Sequence, residues 1–488
     1  MSFERYRGVI PEFGKFLEFA SRPEPTTIRV SSGRIEPDAL AERMARQGFV
    51  LCPIPDQAGF LRVQRAPNPI ALTLEHWLGL FYVQRTSTGL AAPALGPASG
   101  ERVLDMCAAP GGKTTHLADL MEDRGPLVAV DSNVGRMRAL AGNVYRTGHT
   151  NVLLVTADGR ELPGGAWFDR VLVDAPCSAE GTVREGRGRV RPRREGYETY
   201  VTALQEGLLR RAIELTRPGG TILYSTCTFA PEENEAVVDA VLADSPVDVI
   251  PLSLPVPTSP GLTEFEGRRF DERLAHTSRI YPHQVDSGGL FLALLRRAES
   301  SDDPTATSAS SRDAGWTPIP RAAAPDGARG PLDSAAESKL DSIRQTLREV
   351  WRVESSALEG VRWLLRNDRL WAHGCGEWPF DAWAGRGAWD SVAVGLRAFS
   401  FDSGGLPRPS NDLLRRLGDS LTGRTVDLSL ESWRALLSGA PVEVEGVTDG
   451  YVALQLDGQT VGRGFVRSGR VRHEIPRVHA RSLATILS

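Results

Sequence analysis

Between Gly100 and about Arg297, short unbroken apolar runs alternate with amphipathic stretches. The runs Arg102–Met106, Leu127–Asp131, Asn151–Val155, Arg170–Asp174 and Thr221–Ser225 lack a period of two, as expected for strands of a parallel sheet covered on both faces. The stretches Thr114–Glu122, Arg136–Thr147, Tyr200–Thr216 and Pro231–Ala243 carry helical spacing. This alternation predicts a doubly wound α/β domain over 96–298. Upstream, 1–95 reads as an α+β module, with a helix over Asp38–Gln47, strands over Gly48–Ile54 and Gly59–Gln64, and an apolar, aromatic stretch at Leu74–Val83.

Downstream, 299–335 is rich in Ser, Asp, Pro, Ala and Gly with few large apolar residues, and reads as a flexible linker. The extension over 336–429 opens on a helical pattern at Glu337–Arg366. The terminal segment, 430–488, contains short strands over Pro441–Arg472, broken at Asp449-Gly450, Asp457-Gly458 and Ser468-Gly469, as in a small β barrel.

Composition narrows the function classes. The 488 residues carry a net charge of −4, so the whole chain is not a basic nucleic-acid binder, and any basic surface must be local. No apolar run approaches the roughly 20 residues that span a bilayer. The charged opening, Met1-Ser-Phe-Glu-Arg-Tyr-Arg, predicts no secretory leader. Five cysteines, few and odd in number, predict a reducing, cytoplasmic setting without disulfides. The histidines form no spaced cluster, so no metal site is expected. Of 57 basic residues only Lys15, Lys113 and Lys339 are lysines, which makes a lysine inside a glycine-rich turn a functional candidate.

That turn follows the first strand: Cys107-Ala108-Ala109-Pro110-Gly111-Gly112-Lys113-Thr-Thr, then a helix. A phosphate-binding P-loop requires glycine where Cys107 stands, and the dinucleotide fingerprint Gly-x-Gly-x-x-Gly is absent. The remaining reading is an adenosylmethionine turn, since that ligand presents an aminoacyl end in place of a pyrophosphate. Asp131 ends the second strand, where a carboxylate bonds ribose hydroxyls. Asp158, past the third strand, is placed to reach adenine, and Arg136 and Asp174 complete the expected cofactor set.

Two thiols follow apolar runs, Cys177 in Asp174-Ala-Pro-Cys177-Ser and Cys227 in Tyr-Ser-Thr-Cys227-Thr. In an open α/β sheet, ligands sit beyond the carboxyl ends of the strands. Neighbouring strands lie about 4.8 Å apart, so adjacency of these two would put both thiols over one substrate. Cys52 and Cys375 read as small core hydrophobes.

Together these motifs resemble the Nop/Sun family of RNA cytosine-5 methyltransferases. The resemblance runs from about His76 to Leu295 through His76-Trp-Leu-Gly-Leu-Phe-Tyr-Val-Gln84, Val103–Thr115, Asp174–Ser178 and Tyr224–Glu235. Two positions depart from the pattern: Arg85 stands where the family has Glu, and Ala179 where it has Gly. The flanking modules are similar to those of the bacterial small-subunit rRNA branch, whose C-terminal extension ends in a PUA-like barrel. The resemblance implies a Rossmann-like class I methyltransferase domain that uses S-adenosyl-L-methionine and binds RNA as a monomer. The substrate is rRNA or tRNA, free or within the assembled small subunit.

Cytosine C5 is a poor nucleophile until a thiolate adds to C6, so one thiol must add and a second group should aid release. The Pro-Cys context of DNA cytosine methyltransferases nominates Cys177, whereas the Nop/Sun resemblance nominates Cys227, with Cys177 assisting release. The second assignment is preferred here. Asp174 is then expected on the polar edge of cytosine and Lys113 beside the thiolate. Arg184, Arg187, Arg189, Arg191, Arg193 and Arg194, just past the Cys177 loop, read as phosphate contacts. The rival readings are a tRNA methyltransferase and a non-catalytic RNA-binding ribosome assembly factor.

Overall fold

The five apolar runs form strands buried on both faces: β1 (Val103–Asp105), β2 (Leu127–Asp131), β3 (Val152–Thr156), β4 (Phe168–Asp174) and β5 (Thr216–Thr226). The computed structural model describes residues 3–185, 196–299, 317–318, 334–366, 369–378, 390–401 and 407–487. Most of the expected linker over 299–335 lies outside the described residues.

The five strands are parallel, in the order β3-β2-β1-β4-β5. Beyond β5 the sheet continues through β6 (Val247–Ile250), β7 (Ser259–Pro260), β8 (Ser278–Ile280) and β9 (Leu290–Arg297). Strand β9 runs antiparallel to β5 and carries β6 and β8. Helices α1 (Gly112–Leu120), α2 (Val134–Thr147), α3 (Tyr197–Leu215) and α4 (Glu235–Leu242) connect the strands. The Asn133 side chain caps α2 by accepting from the Arg136 N–H at 3.0 Å. Because β1 lies between β2 and β4, the chain leaves it in opposite directions, and a crevice opens at its carboxyl end.

The extension does not stand apart from this sheet. Strand β10 (Asp390–Val394) pairs antiparallel with β3 and closes that edge. The helical pattern expected over Glu337–Arg366 is realised only in part. Helix Ser334–Gln345 continues as one wide turn to Val350, and Gly360 at φ 72° then redirects the chain into a strand at Arg362–Arg366. The apolar Trp363-Leu-Leu run suits helix or strand alone; pairing with Arg369–His373 decides it, burying Trp363 and Leu364.

The N-terminal module is a four-stranded antiparallel sheet, ordered Val50–Pro53, Phe60–Arg65, Thr27–Val30, Phe81–Val83, packed on helix Pro37–Ala45. The C-terminal strands form a five-stranded sheet ordered Thr425–Asp427, Gly450–Leu456, Gln459–Arg467, Arg470–His473, Val442–Glu443. These two ends of the chain share one hydrophobic core, which includes Ile28, Leu40, Phe81, Trp433, Leu454 and Leu483. Trp77 links them: its Nε1–H donates to the Val461 carbonyl at 3.0 Å, and its ring lies under the Arg415 guanidinium at 4.8 Å. Arg29 joins the N-terminal module to α1, pairing with Asp119 and donating to Gln84 Oε1 at 2.9 Å and Thr115 Oγ1 at 2.8 Å.

Removing the Trp77 indole opens a void between the modules and orphans a carbonyl. Trp77→Ala is expected to lower the unfolding free energy by about 3–5 kcal/mol. Chemical denaturation followed by circular dichroism checks this; a loss below about 1 kcal/mol would show that the modules are held together elsewhere.

Candidate active site at the carboxyl edge of the sheet

Strands β4 and β5 are adjacent and in register, with Asp174 opposite Ser225. Cys177 lies three residues beyond Asp174 and Cys227 two beyond Ser225, and their sulfurs are 3.3 Å apart. Both are free, partly buried thiols. Their loops are fixed by backbone bonds: Gly181 N–H donates to the Cys227 carbonyl at 2.8 Å, and Tyr197 Oη–H donates to that of Cys177 at 3.2 Å. A Cβ on Gly181 would lie 2.6 Å from the Gly289 oxygen, so only glycine allows this approach.

The segment Glu233-Asn234-Glu235 lies beneath, fully buried. Glu233 Oε2 accepts from Ser178 N–H at 2.8 Å and Gln205 Nε2 at 3.1 Å, while Asn234 Nδ2 donates to the Thr228 carbonyl at 3.0 Å. Glu235 is ion-paired with buried Arg279. One acidic turn thus grips both cysteine loops. The motif is visible in the sequence, but no local pattern assigns it this role.

The environments of the two thiols differ. The hydrogen bond from Cys177 holds the Cys227 thiol below its ordinary range against burial, with further support from the Lys113 and Arg85 charges. The same bond, together with burial, pushes Cys177 well up. The pair therefore favours a Cys227 thiolate that accepts from a Cys177 S–H. Lys113 Nζ lies 2.6 Å from Asp174 Oδ2, and Ser225 Oγ–H donates to Oδ1 at 2.9 Å. Burial opposes the ammonium, but the Asp174 charge outweighs it and the Lys113 pKa rises. Arg85 is anchored by Glu24 at 3.0 Å and by Glu185.

The glycine turn sits in the crevice above β1 and β2. Ala108 N–H donates to the Val130 carbonyl at 2.9 Å, and Ala109 N–H donates to Asp131 Oδ2 at 3.2 Å. The Ala109-Pro110 bond is cis. Gly111 has φ 110°, and a Cβ there would meet Leu140 Cδ1 at 2.8 Å. Arg136 donates to the Ala109 carbonyl and lies 3.4 Å from Asp131. Burial and the surrounding acids Asp174, Asp105 and Asp131 keep the Cys107 thiol protonated.

Asp131, Asp158 and Asp174 thus lie at or just past the ends of β2, β3 and β4, although Asp158 is held by Arg160 Nη2 at 2.7 Å and caps the next turn. Asp105, at the end of β1, belongs to the same edge, although no sequence motif assigns it a role. It is fully buried, accepts from Thr114 Oγ1 at 2.7 Å, and is pushed up to about 7 by burial. An acid closing an apolar strand before a glycine turn was the available signal.

Arg184 is not a phosphate contact. It is buried, donates to the Pro23 carbonyl at 2.8 Å and pairs with Asp286 at 3.0 Å, because the N-terminal module covers it. Arg187, Arg189, Arg191, Arg193 and Arg194 lie outside the described residues. Among the described residues no cluster of His, Cys, Asp and Glu is arranged to hold a metal, and no helix is long and apolar enough to cross a membrane.

Thiolates, not thiols, alkylate. Iodoacetamide should modify Cys227 with a pH midpoint below 9, and Cys177 only at higher pH. Lys113→Met removes a positive charge and should move the Cys227 midpoint upward; equal profiles for the two thiols would refute the asymmetry. Ala179 holds φ 57°, a left-handed conformation that disfavours a Cβ. Ala179→Gly should raise stability by about 0.5–1 kcal/mol, read as a higher denaturation midpoint.

Residues 92–296 match the model of the 16S rRNA methyltransferase RsmB/F family. A mouse 28S rRNA (cytosine-C(5))-methyltransferase is 36% identical over 301 residues, covering 60% of this chain and 38% of that protein. The chain spans less than half the length of the eukaryotic relatives it matches. The Ribosomal RNA small subunit methyltransferase F of Vibrio vulnificus is 27% identical over 493 residues, covering 97% of this chain and 96% of that one. Among solved structures, a methyltransferase homolog from Pyrococcus horikoshii is 34% identical with a TM-score of 0.54, covering 60% of this chain and 93% of that one. With the order β3-β2-β1-β4-β5 and the thiol pair at its edge, these likenesses show a methyltransferase domain that is similar, over residues 92–296, to that of the RsmB/F family.

Proposed function

We propose that this protein methylates C5 of a cytosine in small-subunit rRNA, using S-adenosyl-L-methionine. The observation that carries the reading is the Cys177–Cys227 sulfur contact at 3.3 Å beside the Lys113–Asp174 ion pair. A single nucleophile needs one thiol; two thiols in hydrogen-bond contact supply both addition and release. The likeness to the Vibrio small-subunit enzyme over 97% of the chain supports the rRNA branch.

The crevice fits the cofactor. Gly111 lets the turn pack directly against Leu140 of α2, where a Cβ would clash, and Asp131 at the end of β2 would bond ribose hydroxyls with Arg136 beside it. The turn from Cys107 to Lys113 would take the aminoacyl end, and Asp158, held by Arg160, would face adenine. When bound, the sulfonium supplies an electrophilic methyl group.

The Cys227 thiolate adds to C6 and makes C5 nucleophilic. The electron pair displaced by this addition goes to N3, which takes a proton from water, and Asp174, paired with Lys113, holds that polar edge of the base. After C5 has taken the methyl group, its proton passes to water, the C–H pair forms the C5=C6 bond, and the C6–S pair leaves on Cys227 as a thiolate that accepts from the Cys177 S–H. The C-terminal five-stranded sheet serves as a PUA-like RNA-binding barrel over 430–488, and 1–95 as a second RNA-binding module. The enzyme acts as a cytoplasmic monomer, on naked rRNA or on the assembled small subunit.

Bisulfite mapping of rRNA and tRNA from a deletion strain tests the substrate: one small-subunit cytosine should lose its mark, whereas a loss confined to tRNA would overturn the assignment. Cys227→Ala should abolish turnover while retaining cofactor binding. Cys177→Ala should still add to the base, more slowly because Cys227 loses the hydrogen bond that favours its thiolate, and then fail to release it, leaving a protein–RNA species stable in denaturing gels; the double variant should leave none. Absence of the trapped species at a pH where Cys227 of that variant is alkylated would return the nucleophilic role to Cys177. Asp131→Ala should weaken adenosylmethionine binding by roughly 1.5–3 kcal/mol in calorimetry.

A further inference from the structure

The N-terminal module and the C-terminal sheet enclose a cavity of about 540 Å³. Its walls come from the end of helix Pro37–Ala45, the segment 68–75, helix Leu430–Leu437 and the turn Leu456–Gln459. The shared core and the Trp77–Val461 bond hold these walls together, so the cleft is built before any ligand arrives. Pockets of roughly 300–1,000 Å³ accommodate small organic ligands, and one nucleotide fits that range.

The lining has three kinds of group. Arg43, Arg46 and Arg434 supply positive charge. Opposing them are Asp457 and Glu75; buried Glu75 accepts from Arg43 at 2.7 Å and Gln47 at 2.8 Å, so that pair cancels, and Arg46 together with Arg434, whose Nε donates to the Leu487 carbonyl at 2.8 Å, outweighs Asp457 at the mouth. Leu72 and Leu430, one from each module, remain 39% and 41% exposed on the wall. Asn68 and Gln459 add amides able to both donate and accept. An apolar ligand has no use for the surplus positive charge of Arg46 and Arg434, and a bare phosphate has none for the leucines. A nucleotide uses all three.

We propose that this cleft holds an unstacked nucleotide of the substrate RNA, its base against Leu72 and Leu430 and its phosphates toward Arg46. The inference rests on the RNA methyltransferase reading and adds a second RNA anchor, built from both ends of the chain and separate from the cysteine site. Single-stranded RNA is commonly gripped in this way, by a base face and a positively charged groove.

The test uses the full-length protein and a small-subunit rRNA fragment that it methylates, with fluorescence anisotropy across a salt series. Arg46→Glu and Leu430→Asp should each weaken binding about tenfold at 0.1 M salt, and Arg46→Glu should flatten the salt slope by about one or more. Adenosylmethionine affinity and kcat should be unchanged, with KM for RNA raised. Arg269→Glu, an equal charge change on a side chain 87% exposed outside the cleft, should leave affinity within about twofold. Wild-type affinity in both cleft variants, or an equal loss in Arg269→Glu, overturns the cleft while leaving the methyltransferase reading intact. A wild-type protein that binds no RNA overturns both. Free ribonucleoside monophosphates that bind as tightly as the fragment would reassign the cleft to a soluble nucleotide.

Discussion

The register between β4 and β5 is the constraint on which the reactive centre depends. Parallel pairing places Asp174 against Ser225, and everything chemical follows within three residues on each strand. The Ser225 hydroxyl orients Asp174, Asp174 holds Lys113, and the chain beyond each strand turns so that the sulfurs meet at 3.3 Å. A slip of one residue would turn every side chain of one strand to the opposite face. Polar bonds that depend on this register, from the Ser225 hydroxyl to Asp174 and from the Thr226 hydroxyl to Asn234 Oδ1, oppose that slip. The bonds that satisfy polar groups at the strand ends therefore also set the thiol geometry.

Parts of this were legible in the sequence because they are local. Unbroken apolar runs distinguish a sheet covered on both faces from an alternating one, so the strands and their carboxyl-edge ligands were accessible from periodicity. The glycine turn was legible because Gly111 must adopt φ 110° against Leu140, and few residues tolerate that. Contacts between distant segments were not legible. Arg184 belongs to a conspicuous arginine run, yet its partners are Pro23 and Asp286. Nothing within ten residues of Arg184 signals that a distant module will bury it. The common core of the two chain ends was invisible for the same reason: Trp77 and Val461 are 384 positions apart.

The Glu233-Asn234-Glu235 turn shows how buried polar groups can fix a site without entering its chemistry. Buried carboxylates and amides are tolerated only where hydrogen bonds or charges satisfy them. Here the donors are Ser178 of the Cys177 loop, Gln205 of α3, which also donates to the Pro176 carbonyl of that loop, and Arg279 below. The loops are therefore positioned by the same bonds that make the burial affordable. Loss of one donor weakens the bonds that both satisfy a buried group and hold a loop, so the penalty falls on loop geometry as well as on stability.

Arg85 and Ala179, the two departures from the family pattern, lie on either side of this arrangement, and each has a physical consequence. Ala179 carries a left-handed backbone that glycine adopts freely, so the Cys177 loop retains its path at some cost in strain. Arg85 brings a positive charge whose field favours the Cys227 thiolate, where a carboxylate would oppose it. Its pairing with Glu24 and Glu185 limits that effect and ties the charge to the N-terminal module. The thiolate bias therefore does not rest on Lys113 alone. Lys113 is engaged by Asp174, whose charge pushes the Cys227 pKa up by more than Lys113 brings it down. Against that pair and against burial, the Cys177 hydrogen bond, the largest influence, tips Cys227 toward the thiolate with the Arg85 charge in support.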